Sequence, residues 1–182
     1  MTPLLAELAA AIRTAIRTAP TDPAQRACRV ADTLARYLGH PGLLAPAQLQ
    51  PDPTAYRQHL LHAEPDGSFS LVALVWLPGQ TTPVHDHTAW CVVGTHIGAE
   101  EETVYTLTTD HAGRTALLPT ATTTYPAGSV TFVTPPGDIH HVRNATTATT
   151  VSLHVYGTDI RPSGTSIRRT YDHPALTAPA AG

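Results

Sequence analysis

The sequence predicts a mainly β protein in which a helical N-terminal layer packs on a β-barrel or sandwich. Apolar residues recur at helical spacing over about the first forty residues, and from about Tyr56 the period changes to two, with turn sequences between many short segments. The 182 residues, 42% of them hydrophobic, suffice for one domain with a substantial core. We therefore expect a helical layer over 1–40, a barrel over 55–172 and a flexible tail over 175–182.

The helical layer begins with two helix-start signals. Thr2-Pro3 and Asp22-Pro23 each place an N-cap residue before a proline at the first helical position. Apolar stripes follow them, from Leu4 to Ile16 and from Ala27 to Leu38, and the second ends at a glycine. We expect Cys28, within the second stripe, to be a small core residue.

The barrel is predicted from short segments rich in apolar and β-branched residues. Turn sequences such as Pro65-Asp66-Gly67 and Pro135-Pro136-Gly137-Asp138 separate them. Strands at this spacing are typical of a sandwich or barrel. The candidate strands are Phe69–Leu77, Pro83–Thr88, Trp90–Ile97, Glu102–Thr108, Ser129–Val133, Ile139–Arg143 and Thr149–Tyr156.

Composition excludes several classes of protein. With 11 basic residues, 14 acidic ones and a formal net charge of −3, the chain lacks the basic excess of a nucleic-acid binder. Two cysteines do not make a disulfide framework. No charged region precedes a long apolar run at the N-terminus, and no apolar run reaches about 18 residues, so we expect neither a signal peptide nor a membrane span. These observations predict a soluble cytoplasmic protein and leave its oligomeric state open.

The strongest local signal for chemistry is His85-Asp86-His87. In a strand, residues i and i+2 point to the same face, so both imidazoles would project together and Asp86 away from them. Two convergent imidazoles are a natural chelate for a transition metal. Two polar residues on a solvated strand face would give the same pattern, and the motif alone does not choose between these interpretations.

The spacing around this motif has a known counterpart. Gly79 precedes His85 by five intervening residues, Cys91 follows His87 by three, and Gly98 follows Cys91 by six. This arrangement resembles the first motif of the cupins, with cysteine in place of the motif's glutamate. The resemblance implies a cupin double-stranded β-helix, which is a jelly-roll barrel. We expect Glu100–Glu102, near the end of this motif, to cap a turn.

A second cupin-like motif lies downstream. Pro126-x-Gly128 and then Pro136-Gly137-Asp138-Ile139-His140 resemble it, and its histidine completes the metal site of the family. The metal ligands implied are therefore His85, His87 and His140. His141 remains an alternative to His140, although the family's register with Asn144 favours His140.

Replacement of the glutamate changes the expected chemistry. Three neutral imidazoles leave a divalent metal with its full charge of +2, which favours an anionic thiolate ligand. Three histidines with cysteine at the glutamate position resemble the thiol dioxygenases, which include cysteine dioxygenase. The resemblance implies Fe(II), a small thiol carboxylate such as L-cysteine or 3-mercaptopropionate, O₂ as co-substrate and a sulfinic acid product. Imidazole ligands also suit nickel and other divalent metals.

A second polar pattern supports the same family. Ser152, His154 and Tyr156 alternate with apolar residues and share one strand face. They match the Ser-His-Tyr relay of thiol dioxygenases, which implies a catalytic role for all three. The alternative is the exposed face of an edge strand. In mammalian-type enzymes the cysteine equivalent to Cys91 forms a thioether with the relay tyrosine, and an ordinary buried thiol at this position is equally compatible with the sequence.

Substrate binding is assigned by resemblance as well. Gln58 stands where mammalian-type cysteine dioxygenases carry an arginine, which resembles a bacterial Gln-type branch similar to 3-mercaptopropionate dioxygenases. In that branch an arginine near the C-terminus binds the substrate carboxylate, and Arg168 and Arg169 are the candidates. Only one of the two would face the pocket from an extended segment, and a solvated pair is the alternative.

Other functions remain compatible with the sequence. The combination of Gln58 and Cys91 also fits a relative from specialised metabolism that converts cysteine further, for example to a sulfonamide. A metal-dependent isomerase or a dioxygenase of non-thiol substrates would not need the Ser-His-Tyr alignment. A non-catalytic metal-binding cupin is the third alternative, because this fold serves many functions.

Overall fold

The computed structural model describes residues 1–109, 111, 113 and 115–171. The predicted tail over 175–182 lies outside the described residues. Helix α1 spans Pro3–Thr18 and α2 spans Pro23–Leu34, and a 3₁₀ helix covers Pro46–Leu49. Neither α-helix in the described part of the chain is long and apolar enough to cross a membrane.

Both helices begin where the cap signals predict. The Thr2 hydroxyl accepts the backbone N–H of Leu5 at 3.1 Å, and the Asp22 carboxylate accepts that of Gln25 at 2.8 Å. The buried face of α2 consists of Ala27, Val30 and Leu34. Cys28 is exposed, so its prediction as a core residue is wrong. Adjacent helix positions lie about 100° apart, which turns Cys28 off the buried face.

The ten strands of the described residues are all antiparallel to their neighbours. In chain order they are β1 Arg57–Ala63, β2 Ser70–Trp76, β3 Val84–His87, β4 Cys91–Ile97, β5 Ala99–Thr109, β6 Thr115–Pro126, β7 Val130–Val133, β8 His140–Arg143, β9 Thr150–Tyr156 and β10 Ile167–Tyr171.

The strands form two five-stranded sheets. The order is β1-β2-β9-β4-β7 in the first sheet and β10-β3-β8-β5-β6 in the second. The prediction of a mainly β jelly-roll barrel with an N-terminal helical layer is confirmed. Strand β6 was not among the predicted strands, because its twelve residues are almost all exposed and show no apolar alternation.

The first sheet is covered on both faces. Strands β2 and β9 are buried at every position, as expected for strands at the centre of a sheet between two layers. Residues such as Leu71 and Leu153 on the outer face pack against Leu8 and Ile12 of α1 and against Leu34 of α2. The inner face, which carries Cys91 and Tyr156 among other residues, belongs to a separate core cluster. The candidate site lies between this inner face and the second sheet.

Candidate metal centre and proton relay

Three buried histidines from the second sheet converge on one point. Strand β3 supplies His85 and His87, and β8 supplies His140, which pairs with His85 in the β3–β8 register. One ring nitrogen from each lies within 4.8 Å of the other two. Alternation along β3 turns Asp86 to the opposite face. The structure thus brings the three predicted metal ligands together.

Each imidazole is oriented by an acceptor on its Nδ1. The Nδ1 of His85 lies 2.9 Å from the Pro83 carbonyl oxygen, that of His87 lies 3.0 Å from Asp138 Oδ2, and that of His140 lies 2.5 Å from Glu102 Oε1. A ring that donates its Nδ1–H keeps the lone pair on Nε2.

This arrangement fits a divalent metal. Ligand histidines usually donate their second ring nitrogen to a carboxylate or a backbone carbonyl, as all three do in this site. Among the described residues, Nε2 of His140 is buried and has no hydrogen-bond partner, which is costly unless a ligand occupies that direction. The three imidazoles would thus hold the metal, while Asp138 orients His87 and Glu102 orients His140.

Glu102 contacts a metal-site histidine, a role that the sequence does not predict for it. It was expected to cap a turn together with Glu100, but both carboxylates are buried within β5. The signal available in the sequence was their i, i+2 spacing, which places two acidic side chains on one face of a strand beside the first cupin-like motif.

The polar face of β9 forms a connected chain of side chains. Ser152 Oγ lies 2.9 Å from His154 Nε2, and His154 Nδ1 lies 3.5 Å from Tyr156 Oη. The indole N–H of Trp76 donates to Ser152 Oγ at 3.2 Å. Because β9 lies between β2 and β4, this face is not the exposed face of an edge strand. The structure thus joins the three residues predicted as a relay.

Burial keeps the relay residues neutral. It is the main reason why the pKa of His154 falls to about 3, and the repulsion that protonated metal-site histidines would exert lowers this pKa further. Burial also raises the pKa of Tyr156 and that of the Cys91 thiol well above their usual values. If protons move along the relay, His154 and Tyr156 therefore remain neutral before and after the movement.

Cys91 lies beside the relay. It stands directly opposite Tyr156 in the β4–β9 register, and its Sγ is 4.0 Å from His154 Nδ1. Directly opposed residues in antiparallel strands have Cβ atoms about 5 Å apart. The register is therefore compatible with the thioether hypothesis as well as with a free thiol.

The metal-site histidines line one pocket between the sheets together with His154 and Tyr156 of the relay. The space around these side chains is about 410 Å³ when the open mouth is included. Gln58 and Tyr56 also line it, together with apolar side chains such as Leu74 and Ile167. The Gln58 side-chain amide donates to the Gly164 carbonyl at 2.9 Å, which fixes its orientation.

The two arginines predicted to bind substrate are placed elsewhere. Arg168 Nη2 and Arg169 Nε lie 2.6 Å and 2.8 Å from Asp86 Oδ2, and Tyr171 donates to the same oxygen. Burial opposes ionisation of Asp86, but hydrogen bonds from Arg168, Tyr171 and Arg169 outweigh it and lower the Asp86 pKa.

The expectation that Arg168 or Arg169 faces the pocket therefore needs correction. A register shift between Ile167 and Arg169 in the β10–β3 pairing leaves both guanidinium groups on Asp86, which is on the outward face of β3. Within 1–109, 111, 113 and 115–171, no arginine lines the pocket.

The chain is similar to several known proteins. The chain is similar to an uncharacterized conserved protein with a double-stranded β-helix domain from Klebsiella pneumoniae (16% identity, 62% of this chain and 85% of that one, TM-score 0.47). It is also similar to a cupin 2 conserved barrel domain protein from Salinispora arenicola (25% identity, 62% and 83%, TM-score 0.44). The family model of cysteine dioxygenase type I matches residues 27–169. With that match over most of its length, the chain belongs to the cysteine dioxygenase type I family.

Proposed function

We propose that the protein is a thiol dioxygenase that adds both atoms of O₂ to the sulfur of a small thiol carboxylate. One thiolate and one O₂ give one sulfinate, and the sulfur supplies the electrons, so no external reductant is required. The observation that carries this proposal is the pocket that the three imidazoles share with His154 and Tyr156, to which Ser152 is joined by a hydrogen bond from behind.

His85, His87 and His140 would hold the metal, for which we propose Fe(II). Nickel and other divalent metals bind the same donor set. Bound there, the metal would supply the Lewis acidity and redox chemistry that amino-acid side chains lack. Three neutral ligands favour an anionic thiolate as the substrate form.

The other residues of the pocket position the substrate and its protons. Tyr156 would donate its hydroxyl proton to the reacting groups, and His154 and Ser152 would hold that hydroxyl in place. Gln58 lies at the substrate's carboxylate end in this proposal, with the second N–H of its amide as a donor. The apolar walls, which include Leu74 and Ile167, would exclude water from the reaction.

Oxygen uptake tests this function. Protein loaded with iron under anaerobic conditions is supplied with O₂ and with L-cysteine or 3-mercaptopropionate in separate reactions, and the products are identified by mass spectrometry. We expect one thiol to gain two oxygen atoms. A His140→Ala variant, prepared in the same way, controls for oxidation by free iron and should show no uptake above background.

The other outcomes are equally informative. Uptake with a different product mass would favour conversion beyond the sulfinate, as in a sulfonamide-forming relative. No uptake with either thiol, in protein that retains iron, would overturn the proposal and favour a non-catalytic metal-binding cupin or another substrate class.

A further inference from the structure

A buried carboxyl group lies at the far end of the relay from Tyr156. Glu100 on β5 is 2% exposed, and its Oε1 has no hydrogen-bond partner among the described residues. Its carboxyl group lies beside Ser152 and Trp76, both of which lower its pKa, while in this structure Trp76 and Ser152 are hydrogen-bonded to each other. A buried carboxyl beside a hydrogen-bonded chain is a candidate terminus for proton movement along that chain.

Glu100 also lines a second small cavity. This cavity is bounded by Glu102, Tyr125 and Thr95 among other residues. Val93 and Val142 line both this cavity and the metal pocket and therefore separate the two. Glu100 thus faces a space that is distinct from the metal pocket.

The Ser152 hydroxyl has one proton and two possible acceptors for it. The indole N–H of Trp76 donates to Ser152 Oγ and occupies one of its two lone pairs. The other lone pair and the hydroxyl proton remain for hydrogen bonds with His154 and Glu100. Burial, offset in part by the neighbouring Ser152 hydroxyl and reinforced by the charge of Glu102, raises the pKa of Glu100 to about 7. Both protonation states of Glu100 are then populated near neutral pH.

We propose that Glu100 is a positioning residue whose protonation selects the tautomer of His154 and thereby the direction in which the Tyr156 hydroxyl donates. The proposal requires no residue outside the four-membered chain Glu100-Ser152-His154-Tyr156.

With Glu100 ionised, every hydrogen bond of the chain points toward it. Ser152 donates to the Glu100 carboxylate, His154 donates its Nε2–H to Ser152 Oγ, and Tyr156 donates its hydroxyl to His154 Nδ1. Ser152 Oγ then accepts from His154 and from Trp76, so all of its sites are used. In this arrangement the Tyr156 proton is directed away from the pocket.

With one proton added to Glu100, the whole chain reverses. Glu100 donates to Ser152, Ser152 donates to His154 Nε2, and His154 donates its Nδ1–H to the Tyr156 oxygen. The Tyr156 O–H is then free to donate into the pocket. The imidazole is neutral in both arrangements, and they differ by the single proton on Glu100.

The groups that could compete with Glu100 for this role are few. Glu102 shares its strand face and is engaged by His140, and Tyr125 of β6 lines the same cavity. His154 of β9 is kept neutral by burial. Arg143 of β8 is paired with Glu101 on the opposite face of β5.

The tautomer of His154 can be read directly by nuclear magnetic resonance. The ring-nitrogen shifts are recorded in isotope-labelled, Zn(II)-loaded protein from about pH 5 to about pH 9, and the His154 signals are assigned by their loss in a His154→Gln variant. We expect the protonated nitrogen to change from Nδ1 at low pH to Nε2 at high pH. Glu100→Gln should hold a single tautomer throughout this range.

Glu101→Gln is the matched control, because it makes the same change at the next residue on the opposite face of β5, and it should titrate like the wild type. One unchanged tautomer across the range in the wild type, or an imidazolium at low pH, would overturn the proposal. A tautomer change that persists in Glu100→Gln would also overturn it. If Glu100→Gln does not fold, Ser152→Ala interrupts the same chain and should abolish the pH dependence.

The proposal rests on the proposed function only for what the Tyr156 hydroxyl does to a substrate. The tautomer measurement needs no turnover, so failure to oxidise a thiol would leave its result intact. If the protein does oxidise a thiol, kcat of the wild type and of Glu101→Gln should change with pH near neutrality, and kcat of Glu100→Gln should not.

Discussion

The three metal-site imidazoles are fixed by two kinds of acceptor. His85 is held by a backbone carbonyl, whereas His87 and His140 are held by the carboxylates Asp138 and Glu102. The carboxylates place negative charge outside the ring nitrogens, which increases the basicity of the imidazoles. The metal site thus contains acidic residues although none of them is positioned as a ligand.

Loss of the Glu102 charge is expected to weaken metal binding. Glu102→Gln retains an acceptor for His140 but removes the charge, and such changes cost about 10–100-fold in affinity. The affinity for Zn(II) is measured by competition with a chromophoric chelator. Glu101→Gln, whose partner Arg143 lies on the surface, should bind like the wild type. Equal affinities in all three proteins would contradict this role for Glu102.

Glu100 is expected to make stability depend on pH. Its pKa rises from 4.5 in the unfolded chain to about 7 in the folded protein, chiefly through burial. Between about pH 4.5 and about pH 7, the Glu100 carboxyl ionises in the unfolded chain but stays protonated in the folded protein. The unfolded chain is therefore favoured increasingly over this range, and the free energy of unfolding falls as the pH rises. Each pKa unit corresponds to about 1.4 kcal/mol, which gives a loss of about 3 kcal/mol.

The Glu100→Gln variant should not show this loss. Denaturant unfolding at about pH 5 and about pH 8, with identical metal loading, measures the difference. We expect Glu100→Gln to gain stability relative to the wild type at the higher pH. An equal dependence on pH in both proteins would show that Glu100 titrates at its ordinary pKa.

At the scale of the elements, strand register decides which residues meet. The seven predicted strands correspond to β2, β3, β4, β5, β7, β8 and β9, and strand alternation correctly separated Asp86 from its two neighbouring histidines. The position of Arg168 and Arg169 could not be derived in this way. It depends on an irregularity in the β10–β3 pairing and on the choice of Asp86 as partner, both of which are long-range features.

The placement of the arginines leads to a prediction about substrate binding. Arg168→Ala and Arg169→Ala should each leave the KM for 3-mercaptopropionate within about twofold of wild type, because neither guanidinium lines the pocket, and should lower Tm. Gln58→Ala should raise this KM about tenfold, through loss of a hydrogen bond to a charged group. A large KM increase in an arginine variant alone would restore the sequence-based assignment.

The β4–β9 register leads to a prediction about covalent structure. The thioether hypothesis, with which the direct opposition of Cys91 and Tyr156 is compatible, predicts that turnover in the presence of O₂ joins these two residues. The product has lost two hydrogen atoms, which O₂ accepts, and this loss is read from the intact mass and from a linked peptide. Cys28→Ser should still show the loss and Cys91→Ser should not. Two separate unmodified peptides after turnover would mean that Cys91 remains an ordinary buried thiol.

At the scale of the molecule, the first sheet separates two tasks. Its outer face packs against α1 and α2, and its inner face contributes the relay to the pocket. The sequence predicted the helical stripe and the barrel separately, since each has its own period. It did not predict that β2 and β9 are covered on both faces, because a continuous apolar run does not identify the layer that covers it.

This separation predicts that the helical layer stabilises the fold without tuning the metal site. Leu34 of α2 is fully buried, and its Cδ2 would lie 2.9 Å from a Cβ atom at Gly94 on β4, so helix and sheet are in close contact. Leu34→Ala should lower the free energy of unfolding by about 2–5 kcal/mol. Cys28→Ala, at an exposed position on the same helix, should change it by less than about 0.5 kcal/mol.

Both variants should bind Zn(II) like the wild type, because the three histidines lie on the second sheet. If Leu34→Ala weakened Zn(II) binding in the folded protein, the first sheet would have to transmit the packing of its outer face to the pocket, and the two tasks would not be separate.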